Sequence, residues 1–233
     1  MRQIVFDTET TGLETRDGHR IIEIGAVELI DRRLTGNTFH EYINPDRVID
    51  KGAIDVHGIT NEFLTDKPRF SEIVEDLMKY FEGAELIAHN AAFDVGFMNY
   101  ELMLCSSPWR KLELHCQILD TLVLAKQLHP GQRNSLDALC RRYSVDNSGR
   151  DFHGALLDAE LLADVYVFMT GGQTQLFGEG SSDSSSAQDS TEEAALVLGA
   201  SGLKVLYATG DELKDHQVKL DAIVKESGVS LWD

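Results

Sequence analysis

Ile4-Val5-Phe6-Asp7-Thr8-Glu9-Thr10-Thr11-Gly12 is the stretch on which the reading of this chain turns. A short apolar run enters it, and two carboxylates two residues apart close it. Side chains alternate faces along a strand, so a strand entered at Ile4 sends Asp7 and Glu9 to the same side, roughly 7 Å apart. Thr10, Thr11 and Gly12 then turn the chain into a loop. Like charges that close repel unless a cation lies between them. Oxygen donors of this kind suit Mg²⁺ or Mn²⁺, which keep waters and complete their shell with a substrate phosphate. Alone, the pair reads more simply as a solvated strand end; the remaining chain decides between the two.

Two further strands follow. Arg20 to Leu29 is rich in β-formers, and Thr38-Phe39-His40-Glu41-Tyr42-Ile43 alternates with period two until Asn44-Pro45 stops it. Short connections between the three imply an antiparallel meander. Residues 53–60 read as loop and short helix. Apolar residues at 70, 73, 74, 77, 78 and 81 predict a helix over Phe70–Phe81, ended at Gly83. Glu85 to Asn90 reads as a buried strand, a helix starts near Ala92 and reaches Leu102, and Ser106-Ser107-Pro108 breaks it. His115 to Asp120 is a further strand, leading into a helix through Leu122 and Leu124. Asn134-Ser135 caps a helix carrying Leu136, Leu139 and Cys140. Gly154 to Met169 is the last strong helix, apolar at 156, 157, 161, 162, 165 and 168. Strands first, then strands alternating with helices, predict an α/β domain over residues 1–170: a mixed sheet flanked by helices.

From Gly171 the composition changes. Residues 171–193 are mostly Ser, Asp, Glu, Gly and Gln, the composition of a flexible linker. Residues 194–233 carry one expected strand, Leu203–Ala208, and one amphipathic helix, Asp211–Val224. That short C-terminal segment cannot bury a core alone and is expected to order on a partner.

The totals exclude some functions. Of the formal net charge of −18, residues 171–233 supply −7. Acidity of that size opposes non-specific grip on nucleic acid, which runs on Lys and Arg. Nucleic-acid chemistry then requires bound cations to supply positive charge locally. Cys105, Cys116 and Cys140 are an odd set without metal-type spacing, the pattern of reduced thiols in a cytoplasmic protein. No apolar run reaches the length of a membrane span, so no membrane partner is expected.

Two more acids sit where acids are uncommon. Asp94 opens a helix directly after a buried strand, which capping or the helix dipole alone would explain. Asp158 lies in the apolar stripe of the last helix, beside Leu156, Leu157, Leu161 and Leu162. Acids are seldom buried unless paired or metal-bound. His153 stands five residues before it. Four carboxylates converging from three elements would hold two divalent cations roughly 4 Å apart, an arrangement suited to phosphodiester hydrolysis. A histidine titrating near neutrality beside them is a natural base for the attacking water.

Asp7-x-Glu9, Asn90-x-x-Phe93-Asp94 and His153-x-x-x-x-Asp158 resemble, in order and spacing, the three motifs of the DEDD exonucleases in their histidine variant. The resemblance covers residues 1–170. It implies a ribonuclease-H-like fold and removal of nucleotides from 3′ ends with two Mg²⁺ or Mn²⁺ ions. It also implies that Asp7, Glu9 and Asp158 ligate one ion, that Asp7 and Asp94 ligate the second, and that His153 is the general base. Substrate contacts are expected from Asp7, Thr8, Glu9 and Asp158, and from His57 in a loop, Val56 to Thr60, resembling the family's substrate side.

The segments Ile21 to Glu28, Arg133 to Cys140, His153 to Ala159 and Gly171-Gly172-Gln173-Thr174 resemble the epsilon-type proofreading subunits of bacterial DNA polymerase III. That resemblance implies a cytoplasmic protein at the replisome, a DNA 3′ end as substrate, and the polymerase alpha subunit bound by the C-terminal segment, which ends near Leu231-Trp232. A small accessory subunit is a further implied partner. Gln173-Thr174-Gln175-Leu176-Phe177 resembles a sliding-clamp-binding peptide, with Leu176 and Phe177 as apolar anchors and Gln173 hydrogen-bonding at the pocket edge. Two rivals share parts of this picture: an RNA-trimming exoribonuclease of the same family, and a non-catalytic scaffold between clamp and polymerase.

Overall fold

The alternation of Ile4, Phe6 and Thr8 against Val5, Asp7 and Glu9 divides β1 (Arg2–Thr10) between two helical layers. The structure, a computed structural model, describes residues 1–149, 152–171 and 210–227. β2 (Ile21–Ile30) and β3 (Arg33–Tyr42) complete the meander, β1 antiparallel to β2 and β2 antiparallel to β3. β4 (Glu85–Ala88) and β5 (Gln117–Asp120) add parallel strands on the other side of β1, giving the order β3-β2-β1-β4-β5. The expected mixed sheet is the observed one.

Eight α-helices are described: α1 (Lys51–His57), α2 (Asn61–Leu64), α3 (Phe70–Phe81), α4 (Ala91–Leu104), α5 (Thr121–Leu128), α6 (Leu136–Tyr143), α7 (Ala155–Thr170) and α8 (Gly210–Ser227). Ile4, Phe6 and Leu86 pack against Leu77 and Phe81 of α3 and Phe97 and Met98 of α4. On the opposite face Val5, Val27 and Ile87 meet Leu162, Ala163 and Tyr166 of α7. Leu161, Val165 and Met169 turn instead to Leu139 and Cys140 of α6. All three cysteines are free thiols.

Several strand boundaries and one burial assignment depart from expectation; β3 starts at Arg33, well before the expected Thr38. β1 continues to Thr10 because it pairs with β2 through a register shift at Glu9/Thr10. β4 stops at Ala88, since Asn90 takes the left-handed conformation (φ 66°) that starts α4 one residue earlier than expected. β5 begins at Gln117, not His115. Phe168, expected on the buried stripe of α7, is exposed. The sheet-facing stripe is 155, 158, 159, 162, 163 and 166, built from small residues at its N-terminal end, which lets the helix lie close.

The chain divides into two units, Met1–Gly178 and Glu179–Asp233. In the second, α8 matches the helix expected over Asp211–Val224, and its Leu213 and Val218 are exposed. The linker, the strand expected at Leu203–Ala208, Leu231-Trp232 and the peptide Gln173–Phe177 with Leu176 lie outside the described residues. No described helix is long and apolar enough to cross a membrane.

One buried ion pair ties α4 to the start of β2. Glu101 is 1% exposed; its Oε1 accepts from Arg20 Nε at 2.7 Å and from the Ile21 N–H at 3.1 Å, and its Oε2 accepts from Arg20 Nη2 at 2.6 Å. Burial alone would weaken a guanidinium, yet the Glu101 hydrogen bond raises the Arg20 pKa. Breaking such a pair from one side leaves a charge desolvated, at a cost of about 3 kcal/mol when the partner stays partly hydrated. Glu101→Ala is therefore expected to lower unfolding free energy by about 3 kcal/mol in a urea titration, while Lys79→Ala, at the exposed Glu75–Lys79 pair, changes it by less than about 0.5 kcal/mol.

Candidate active site

Asp7 and Glu9 project from the far end of β1 on the α7 side of the sheet. Asp7 stands opposite Gly25 and Glu9 opposite Glu23 on β2. The pairing of β1 with β4 covers only Gln3 to Val5, so the last half of β1 has no strand on that edge. The turn after β4 and the first helical turn of α4 fill the gap and deliver Asp94.

Asp120, at the end of β5, fixes that turn. Its carboxylate accepts from the N–H groups of Asn90 (3.2 Å) and Ala91 (3.1 Å) at the start of α4, and from those of Leu122 (2.8 Å) and Val123 (3.3 Å) at the start of α5. One side chain thus caps two helices. The capping role that sequence alone would allow Asp94 belongs to Asp120. Asp94 instead points inward, 2% exposed, and its Oδ1 accepts the Thr8 hydroxyl at 2.7 Å. Burial pushes the Asp94 carboxyl up to about 7, against the opposing effect of the Thr8 hydrogen bond.

Asp158 comes from the first turn of α7 and is 3% exposed. His153 lies just before that helix, half exposed, with Nδ1 3.3 Å from Asp158 Oδ2. Its backbone N–H donates to Val56 O at 3.1 Å, docking the His153 loop on the end of α1. Ligand atoms of Glu9, His153 and Asp158 all lie within 4.8 Å of one another. Asp7 and Asp94 stand outside that close group but line the same cavity of about 500 Å³, together with Thr8, His89, Asn90, Phe93 and Leu136. The five residues singled out from sequence are therefore gathered at one place.

The expected substrate contacts are distributed less simply. Thr8 lines the cavity, but its hydroxyl is committed to Asp94. His57 lies in an adjoining cavity of about 440 Å³ that shares Thr8, Glu9 and Phe93 with the first. Its ring is buried, its Nδ1 accepts the Ile59 N–H at 3.0 Å, and burial lowers its pKa, so it stands as a neutral wall of that second cavity. Phe93, named in the sequence motif but given no role there, lines both cavities; Asp120 and Glu23, which hold the helices, were not singled out from sequence. Asp120 precedes a helix and was readable as a cap; that it caps α4 as well depends on a contact across thirty residues. Glu23 looked like one polar residue in a β-rich run.

The exonuclease family model (RNase_T) matches residues 4–166. DNA polymerase III subunit epsilon of Escherichia coli K12 is 50% identical over 235 residues, covering 99% of this chain and 97% of that protein. The Haemophilus influenzae protein of the same name is 53% identical over 249 residues, covering 100% of this chain and 94% of that one. Among solved structures, exonuclease X in complex with 5′-overhanging duplex DNA superposes with a TM-score of 0.56 at 26% identity, over 73% of this chain and 92% of that one. Escherichia coli exonuclease I with a dA16 oligonucleotide gives 0.62 at 17% identity, over 74% and 41%, a likeness of fold. With its four carboxylates and histidine on a sheet of this order, the chain belongs to the exonuclease family, among the epsilon subunits of DNA polymerase III.

Proposed function

We infer that this chain is the proofreading 3′→5′ DNA exonuclease of a bacterial replicative polymerase, using divalent cations to hydrolyse the terminal phosphodiester. The observation that carries the reading is the meeting of Asp7, Glu9, Asp94, Asp158 and His153 in one cavity, in a chain similar along its whole length to epsilon subunits.

The donor set fits Mg²⁺ or Mn²⁺: hard carboxylate oxygens, two of them on nearly buried residues where an uncompensated charge is costly. Asp7, Glu9 and Asp158 would hold one ion, and Asp7 with Asp94 a second. Bound there, the ions would supply Lewis-acid stabilisation of the charge developing on the phosphate. The protein's own residues do the rest. Asp120 and Thr8 fix Asp94. His153, its ring 3.3 Å from Asp158, accepts the proton of the attacking water, with Asp158 beside it to steady the cation formed. Phe93 and the neutral face of His57 offer apolar walls for the terminal nucleotide. The water oxygen bonds to phosphorus as the P–O3′ bond breaks, O3′ leaving on the shortened strand as its new 3′ hydroxyl and the terminal nucleotide leaving as a 5′-mononucleotide. Fraying costs least at a mismatch, so selection can lie in the DNA rather than in base-specific contacts.

The same reading assigns partners. Residues 194–233, with the exposed Leu213 and Val218 of α8, would bind the polymerase alpha subunit, and a small accessory subunit would join the complex. Gln173, Leu176 and Phe177 would dock the sliding clamp, the linker raising the effective concentration of the nuclease at the primer end. Such tethers have no role in a stand-alone exoribonuclease, and buried acids are costly for a mere scaffold.

A 5′-labelled DNA oligomer incubated with the protein and Mg²⁺ should shorten from its 3′ end, faster than an RNA oligomer of the same sequence. Shortening should stop with chelator or Asp7→Ala and slow roughly 10²-fold or more with His153→Ala. Faster RNA trimming would favour the exoribonuclease, and no cleavage by folded protein the scaffold.

Asp94 has a signature of its own in chelator-treated protein. Its folded pKa is raised above the unfolded value of about 3.9, so its favourable contribution is full below pH 4 and is lost as pH rises to about 7. Asp94→Asn keeps an acceptor for Thr8 without the charge. Its unfolding free energy relative to wild type should increase between pH 4 and 7 by at most about 4 kcal/mol, then level off; a pH-independent difference would contradict a buried ionisation. At the tether, Leu176→Ala or Phe177→Ala should weaken clamp binding by roughly tenfold or more in a surface-binding assay.

A further inference from the structure

Glu23 is a carboxylate 2% exposed in the middle of a β-rich strand, and the chemistry assigned above does not use it. Its Oε2 accepts the backbone N–H of Ala155, the first residue of α7, at 3.2 Å. Its Oε1 is 2.7 Å from Nε2 of His40, on the neighbouring strand. Tyr42, its cross-strand partner, is raised in pKa first by burial and then by the Glu23 charge beside it. The residue before α7, Gly154, makes no side-chain cap, so Glu23 takes that place from 132 residues away.

The position of α7 here is unusually constrained. A Cβ built on Gly25 would lie 2.1 Å from Leu156 N and 2.2 Å from Ala155 C, so the first turn of the helix rests on bare β2 backbone. Gly25 faces Asp7 on one side and His40 on the other. The same first turn carries Asp158, and His153 lies two residues before Ala155. Gly25 sets how close the helix may come; the carboxylate beside it sets where along the strand the first N–H is held.

We propose that Glu23 is a positioning residue for the exonuclease reaction: held by His40, it anchors the N-terminus of α7 and thereby fixes Asp158 and His153 against Asp7 and Glu9. The proposal rests on the exonuclease reading. Groups that orient a site's ligands commonly contribute 10- to 100-fold without touching substrate.

Reach and charge can be separated. Glu23→Gln keeps an oxygen at the same reach for the Ala155 N–H, and the His40 ring can accept from the new amide in its other tautomer. Glu23→Asp keeps the charge but shortens the side chain by one methylene, out of hydrogen-bond range. Full-length variants would be assayed on a 5′-labelled single-stranded DNA oligomer, well below their melting temperatures and with folding verified by circular dichroism. Glu23→Asp should lower kcat roughly tenfold with KM within about twofold, and raise the Mg²⁺ concentration giving half-maximal rate; Glu23→Gln should stay within about threefold of wild type in both. A loss confined to Glu23→Gln would show that charge acts and not reach, and equal losses in the two variants would show that reach alone does not account for the effect; either would overturn the proposal. So would a Glu23→Asp protein indistinguishable from wild type. Should Glu23→Asp not fold, His40→Ala, which frees Oε1 alone, must lower kcat at unchanged KM for the proposal to stand. An inactive wild type would instead defeat the exonuclease reading itself.

Discussion

The first turn of α7 rests on β2 where β2 has no side chain, and the rest of the domain is arranged to permit that contact. A Cβ at Gly25 would collide with helix backbone, not with a side chain that could turn away. Small residues, Ala155, Ala159 and Ala163, continue the close approach along the helix, and all three are fully buried. Because Asp7 is the cross-strand neighbour of Gly25, whatever the first turn of α7 carries is brought beside Asp7. What it carries is Asp158. A helix set one side-chain layer further out would leave the two carboxylates on separate surfaces.

Packing carboxylates together works against folding, and the structure shows how that opposition is limited. Asp94 is almost wholly buried, and burial pushes its carboxyl up to about 7, so that it need not add a full charge when no cation is present. Asp158 has His153 at 3.3 Å. Glu23, the fifth acid of the neighbourhood, is bound by His40 and a helix N–H. Asp94, Asp158 and Glu23 are thus each met by short-range partners of their own. On the proposed reading, a cation held by Asp94 would displace a proton and not a competing ion pair.

Much of this was legible in the sequence, and the limits have physical causes. The β-meander, Phe70–Phe81 and α7 follow from local periodicity, which one face of burial enforces. The five candidate site residues, which line one cavity, stand out in the sequence because their motifs carry the chemistry in residue types and spacing. Their supports do not. Asp120 capping α4, Thr8 giving its hydroxyl to Asp94 and Glu23 capping α7 are contacts across 29 to 132 residues, each between polar residues ordinary in their own segment. Apolar residues surround α7 on most sides, so periodicity alone does not mark Phe168 as exposed, whereas the sheet selects the small-residue face. The end of β4 was overestimated because Asn90 adopts a left-handed conformation that a strand pattern does not announce.

The charge of the chain bears on how such a nuclease finds its substrate. A net −18 gives DNA no general attraction. Weak intrinsic grip is compatible with rapid proofreading only if another component keeps the primer end close. A tethered domain needs no affinity for paired DNA, and tight binding would instead hold correct ends in the cleft and degrade them. Low grip leaves the decision to the free energy of unpairing, which is lowest at a mismatch. On the proposed reading, the acidity that first argued against nucleic-acid binding becomes part of selectivity: the site's attraction for DNA is confined to where divalent cations sit, at the one place a freed 3′ terminus can reach.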